Sequence, residues 1–206
     1  MTSGGKAVER RARTVMWWGV IVVVALGATG AVTAQERVDA RLGPATVQRG
    51  DLPAGWNADT ATRGDADSPI ELCGIMLPEA LGTFSSSFRT RQGGAVGAVA
   101  MRLPRGQAKA VLDRITRTAR NVCEHQIEPG LEGAEPINGR FVVLAAPKLA
   151  QQSLRLGLRG APFSSELVLI RTGDILVIVS SASFAGPMLA VVPLSTKVAA
   201  RLVKLA

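Results

Sequence analysis

Three side chains in this sequence are of types and spacing that suit covalent or metal chemistry: Cys73, Cys123 and His125. Cys73 and Cys123 are the only cysteines, and His125 is the only histidine. A metal site is one reading of them, since Cys123-x-His125 offers two zinc-type ligands. A closed tetrahedron needs four, and carboxylates would have to supply the rest. A reactive thiol is a second reading. The third is a structural disulfide, because two and only two cysteines in an oxidising compartment invite pairing. A closed loop of about 50 residues would contribute about 4 kcal/mol by restricting the unfolded chain. The disulfide Cys73–Cys123 is the expectation carried forward, with no metal site.

Other chemistry finds little support. A hydrolase needs a nucleophile activated by a base, and no Gly-x-Ser-x-Gly motif accompanies His125. No phosphate-binding glycine loop of the P-loop type is present. Glu124, Glu128, Glu132 and Glu135 form an acidic stretch, but without the tight Asp-rich loop and central glycine that calcium sites use. No catalytic residue, cofactor-binding residue or cofactor is expected, and the chain is read as not an enzyme.

The elements that would position the cysteines are readable. Residues 105–122 carry Ala108, Val111, Leu112, Ile115, Ala119 and Val122 at three- and four-residue steps, the stripe of an amphipathic helix. Lys109, Arg114, Arg117 and Arg120 lie off that stripe, giving a candidate face for an anionic partner or an ordinary solvated face. The helix delivers Cys123 at its end. Pro78 and Gly82 suit the first turn and the end of a short helix. Residues 84–103 alternate in polarity about Gln92-Gly93-Gly94 and predict a hairpin. Strands are expected over 141–146 and 151–160, with a loop over 124–139. The apolar runs 167–170 and 175–179, joined through Arg171-Thr172-Gly173-Asp174, predict a second hairpin at the sheet centre. From Pro193 the pattern is a final helix, with Ser195 as candidate N-cap and Val198, Leu202 and Leu205 on its buried side. The expected fold class is α+β: a mostly antiparallel sheet with two principal helices on one face.

The placement of this domain is set by Thr14–Ala34, an uncharged run of 21 residues. As a helix it would span roughly 31 Å, close to a bilayer's hydrocarbon thickness. Lys6, Arg10, Arg11 and Arg13 precede it, so the positive-inside rule leaves residues 1–13 as a cytoplasmic tail and exports the rest. Two readings fit the run. Its length favours a retained single-pass anchor at the cell membrane, and Trp17 and Trp18 suit the interface. Val32-Thr33-Ala34 suits a signal-peptide cleavage site, which would release a secreted protein beginning at Gln35. Either way residues 35–50 read as a juxtamembrane spacer and residues 51–206 as one extracytoplasmic domain. After residue 34 the chain has 20 basic and 15 acidic residues, a balance of +5. Export argues against nucleic acid as the partner; an anionic envelope polymer or lipid headgroup suits the charge better, and an ordinary solvated basic surface with no partner is the favoured reading.

Several of these features together resemble exported actinobacterial domains. They are the basic N-terminus and single membrane segment, Leu52-Pro53-Ala54-Gly55-Trp56, Cys73-Gly74, the helix ending at Cys123, and the Arg171–Asp174 hairpin followed by a last helix. The pattern is similar to the extracellular sensor domain of PknH-type mycobacterial serine/threonine kinases and related lipoproteins, over roughly residues 50–206. The resemblance implies an α+β sensor-like module with a cleft for an unknown ligand. It also shows departures: this sequence carries no kinase domain and no lipid-attachment cysteine, and it lacks the family's second disulfide. The expected function is therefore an extracytoplasmic, membrane-tethered, non-catalytic sensor-like or ligand-binding domain of the cell envelope. Its partner would be a small molecule, a lipid or an envelope protein. The alternative is a structural or accessory subunit of an envelope complex.

Overall fold

A computed structural model describes residues 38–58, 70–121, 123–127, 137–183 and 188–205. The apolar run 14–34, the tail before it and the segment 59–69 lie outside these residues.

The described chain forms an eight-stranded antiparallel sheet flanked by two helices. The strands are β1 (Asn57–Ala58), β4 (Gly82–Arg89), β5 (Gly94–Arg102), β6 (Glu124–Ile127), β7 (Ile137–Leu144), β8 (Gln152–Arg159), β9 (Ser164–Thr172) and β10 (Ile175–Ser183). A separate hairpin of β2 (Glu71–Leu72) and β3 (Ile75–Met76) stands beside it. The large sheet runs β1-β4-β5-β10-β9-β8-β7-β6. The β4–β5 hairpin and the central β9–β10 hairpin are both present as the alternation and the apolar runs predict. Gly173, with φ of 57°, opens the two-residue turn Gly173–Asp174 between β9 and β10. A tight hairpin needs a positive φ there, which glycine adopts without steric cost.

The helices are α1 (Gln107–Asn121) and α2 (Val191–Leu202). They lie on opposite faces of the sheet, which corrects the expectation of one face. On α1's side, Val111, Leu112 and Ile115 pack with Val99, Met101, Leu154, Leu156, Leu167, Leu169, Leu176 and Ile178. On α2's side, Leu194, Val198 and Leu202 pack with Val96, Ala98, Ala100, Val168, Ile170, Val177 and Val179. Successive residues of a strand point to opposite faces, so β5, β9 and β10 are apolar on both sides and each side needs its own cover. β8 differs: Leu154, Leu156 and Leu158 are buried, whereas the alternate Arg159 is exposed and Arg155 half-buried.

Four further corrections concern boundaries. No helix forms over 78–81, which has no regular structure, and Gly82 opens β4. Ser195 does not cap α2, which starts at Val191, so Ser195 lies buried inside the helix. The loop read over 124–139 contains β6 and the start of β7, for strand pairing overrides its low apolarity. The stretch 38–50 is no free spacer. Ala40–Ala45 forms a 3₁₀ helix whose Leu42 and Ala45 are fully buried on α2's side of the sheet. Arg201 of α2 fastens this segment, donating to the carbonyls of Pro44 (2.7 Å) and Thr46 (2.9 Å) and to both carboxylate oxygens of Asp51 (3.0 and 2.7 Å).

Candidate functional site

Cys73 and Cys123 form a disulfide, with Cα atoms 4.5 Å apart. Cys73 and Gly74 make the two-residue turn of the β2–β3 hairpin, with φ of 56° and 69°. A turn of this kind requires positive φ at both central positions, and a non-glycine residue there is strained. The hairpin therefore presents Cys73 to the end of α1. Leu72, Ile75 and Leu77 are buried with α1's apolar stripe, so packing and the covalent bond hold the same contact.

Of the four basic residues expected on α1, Lys109 is neutralised locally. Its Nζ lies 2.6 Å from Asp113 Oδ2, one helical turn on, and Gln152 Nε2 donates to the other oxygen at 2.8 Å. Lys109 first and Gln152 next hold the Asp113 carboxyl below its ordinary pKa. Gln152 in turn accepts from Arg171 Nε, which ties α1 to β8 and β9. Arg114, Arg117 and Arg120 are exposed, and none makes an ion pair or a side-chain hydrogen bond among the described residues. At about 100° per residue, Arg117 lies opposite the buried stripe, with Arg114 and Arg120 to either side. A fourth exposed arginine joins them from the sheet. Arg140 of β7 donates to the Asn121 carbonyl at the last turn of α1, a favourable place for a cation. Sequence periodicity along α1 could not have included it, because β7 is remote in the chain.

A second feature escaped the sequence reading. Ser87 of β4, Gly97 of β5 and Ser180 of β10 lie side by side in register on α1's side of the sheet. With Ala95 and Ala182 they line a depression of about 10 Å³, room for a single water molecule. Ser165 of β9 is in register with Ala182 on the same face. Its Oγ is buried and has no hydrogen-bond partner. Ser180 Oγ faces the Gly97 carbonyl at 3.5 Å, and Ser181 Oγ donates to that of Leu189 at 2.7 Å. Ser165, Ser180 and Ser181 are thus not bonded to a base. The only sequence signal was the alternation of Ser85 and Ser87 with Phe84 and Phe88, which marked that side of β4 as solvated, whereas Ser87 is buried.

No protein-family model matches the sequence. No curated protein matches it. Among solved structures, the extracellular domain of PknH from Mycobacterium tuberculosis is similar with a TM-score of 0.39 and 12% identity. The match covers 59% of this chain and 62% of that one, a little under two thirds of its length. This is a weak likeness at the level of the fold.

Among the described residues, no three of His, Cys, Asp and Glu converge as a metal site would require. His125 lies on β6, paired with Gly139 of β7. No helix among the described residues is long and apolar enough to cross a membrane. The arrangement provides a cationic helix face on a disulfide-stapled domain, and a polar, small-residue patch at one end of the sheet.

Proposed function

We propose that the chain is an extracytoplasmic, membrane-tethered, non-catalytic module of the cell envelope that binds an anionic envelope component through α1. One observation carries this reading. Arg114, Arg117 and Arg120 stand exposed and, among the described residues, make no ion pair, Arg117 sharing only the longer-range field of Asp113, on a helix whose other charged pair, Lys109–Asp113, is in direct contact. Exposed guanidinium groups on a rigid element are suited to phosphate or carboxylate recognition. The disulfide supports export, since such bonds persist in oxidising compartments. The uncharged run 14–34 supports the tether. The size of the serine-lined depression, room for one water, favours recognition on the outer surface over enclosure of a small molecule there.

The test is salt elution of the detergent-solubilised full chain from immobilised polyphosphate. The comparison is the triple variant Arg114→Gln, Arg117→Gln, Arg120→Gln. The variant is expected to elute at clearly lower salt, because exposed charges act through a screened field. Co-elution of the two proteins would contradict the α1 reading and shift the account to the accessory-subunit alternative, with contacts made elsewhere.

A further inference from the structure

The strand register defines two ends of the sheet. Gly82, Arg102, Thr172 and Ile175 are aligned at one end, and Arg89, Gly94, Ser164 and Ser183 at the other. The described chain begins at the first end. Val38 bridges Thr83, and the Asp39 amide donates to the Thr83 carbonyl. Only Gln35, Glu36 and Arg37 separate Val38 from the uncharged run that ends at Ala34. Four residue steps reach at most about 14 Å. The headgroup layer on one side of a bilayer is itself about 5–8 Å deep. If the run spans the membrane, this end of the domain has no stalk to hold it clear of the surface.

The side chains at this end fit that position. Val38 is 51% exposed, and Leu81, two residues before Thr83, is 52% exposed. Arg41 is 86% exposed, and Arg105 is exposed in the turn that leads into α1. The acids here are mostly drawn inward. Asp39 is only 13% exposed, held between Arg41 (3.1 Å) and Arg102 (3.4 Å). Burial alone would raise its pKa, but the Arg41 and Arg102 contacts outweigh that and hold it below the ordinary value. Asp174 accepts from the Gly106 amide at 2.8 Å. Glu79 is exposed two residues before Leu81. Among the described residues, what projects here is chiefly two apolar side chains and two guanidinium groups, a combination that suits the boundary between headgroup phosphates and acyl chains.

We infer that the end of the domain bearing Val38, Arg41, Leu81 and Arg105 is seated on the phospholipid headgroups of the membrane that holds the anchor, with the serine-lined end turned away. This rests on the reading of residues 14–34 as a retained span. The seating fixes the domain's orientation and leaves α1 lateral, open to a partner in the envelope.

The experiment uses the full chain in phosphatidylcholine–phosphatidylglycerol nanodiscs. Both native cysteines are bridged, so a new thiol labels alone under non-reducing conditions. A fluorophore is placed on Leu81→Cys or, as control, on Arg117→Cys, about 15 Å farther along α1 from its start. Acyl-brominated lipids are expected to quench the label at 81 several-fold more than the label at 117. Adding Arg41→Glu and Arg105→Glu should reduce quenching at 81. Equal quenching at the two positions, in a chain that co-purifies with the discs, overturns the seating and leaves the tether standing. Quenching at 81 that survives the double charge reversal overturns the role of the two arginines. A chain that reaches the cell surface without residues 14–34 overturns the tether, and the seating falls with it.

Discussion

The two faces of the sheet are closed by different physics. On α1's side the cover is local in sequence and is stapled by Cys73–Cys123 across a separation of 50 residues. On α2's side the cover is a C-terminal helix plus residues 38–56 from the other end of the described chain, joined by the polar clasp of Arg201 on Asp51, Pro44 and Thr46. A covalent staple restricts the unfolded chain and is indifferent to protonation. A clasp built on a carboxylate works only while that carboxylate is charged. The α1 face therefore depends on redox state, with only the partly exposed Asp113 carboxylate adding a pH dependence, whereas the α2 face is held by a buried carboxylate clasp that depends on pH.

Removing the staple should have the largest effect. The double variant Cys73→Ser, Cys123→Ser is expected to lose about 4 kcal/mol, read as a lower midpoint in urea with a steeper slope, because the uncrosslinked chain exposes more surface on unfolding. Reduction of the native chain should reproduce that loss, and acid should not. Arg201→Met comes next. Asp51 is only 8% exposed, and stranding a buried carboxylate is costly. Arg201 itself is partly exposed, so the expected loss is about 2 kcal/mol. The same clasp sets the acid limit. Burial pushes the Asp51 pKa up, but Arg201, the Gln48 amide and Lys197 outweigh it and leave the pKa below 3.8. The stabilisation is then complete above the unfolded value and declines as pH falls through it. It is gone once the pH is below the lowered folded value. Native chain should thus lose stability below about pH 4 more steeply than Arg201→Met does. Parallel acid curves for the two proteins would remove the clasp from the account.

Sequence periodicity made the α1 face readable and obscured the α2 face. The stripe Ala108, Val111, Leu112, Ile115, Ala119 and the even cysteine count are local signals, and they led directly to the helix and its bridge. The opposite placement of the helices was encoded in the unbroken apolarity of 167–170 and 175–179, which demands cover on both sides. It was missed because a helix stripe says that something lies beneath it but not which face. Residues 38–50 look like a polar spacer because their burial depends on Leu42, Ala45 and Val47 meeting α2, some 150 residues away. The site was less legible than the fold. Arg114, Arg117 and Arg120 could be named from spacing, whereas the pairing of Lys109 with Asp113 and Gln152, the addition of Arg140 and the serine patch all depend on strand order.

Smaller perturbations sharpen the contrast between covered and open sheet. A Cβ at Gly97 would lie 3.1 Å from the Ser86 carbonyl, fixed in the β4–β5 ladder. Gly97→Ala should therefore cost about 1 kcal/mol through overpacking. A Cβ at Gly157 of β8 would approach Leu144 Cδ1 at 2.7 Å. Leu144 is a half-buried side chain that can change rotamer, so Gly157→Ala should change thermal stability less than Gly97→Ala does. The reverse order would mean that the β8 face is covered. Smallest of all, the Arg114→Gln, Arg117→Gln, Arg120→Gln variant should unfold within about 0.5 kcal/mol of the native chain per exposed site, so that any loss of binding reflects the surface itself.

The most direct test of the central claim is an intact-mass measurement on chain extracted from the membranes of the cells that make it, without reductant. The account predicts a protein that still carries residues 14–34 and is lighter than the fully reduced chain by the two hydrogens lost when a disulfide forms. A product beginning at Gln35, or one in which Cys73 and Cys123 are both free thiols, would contradict it.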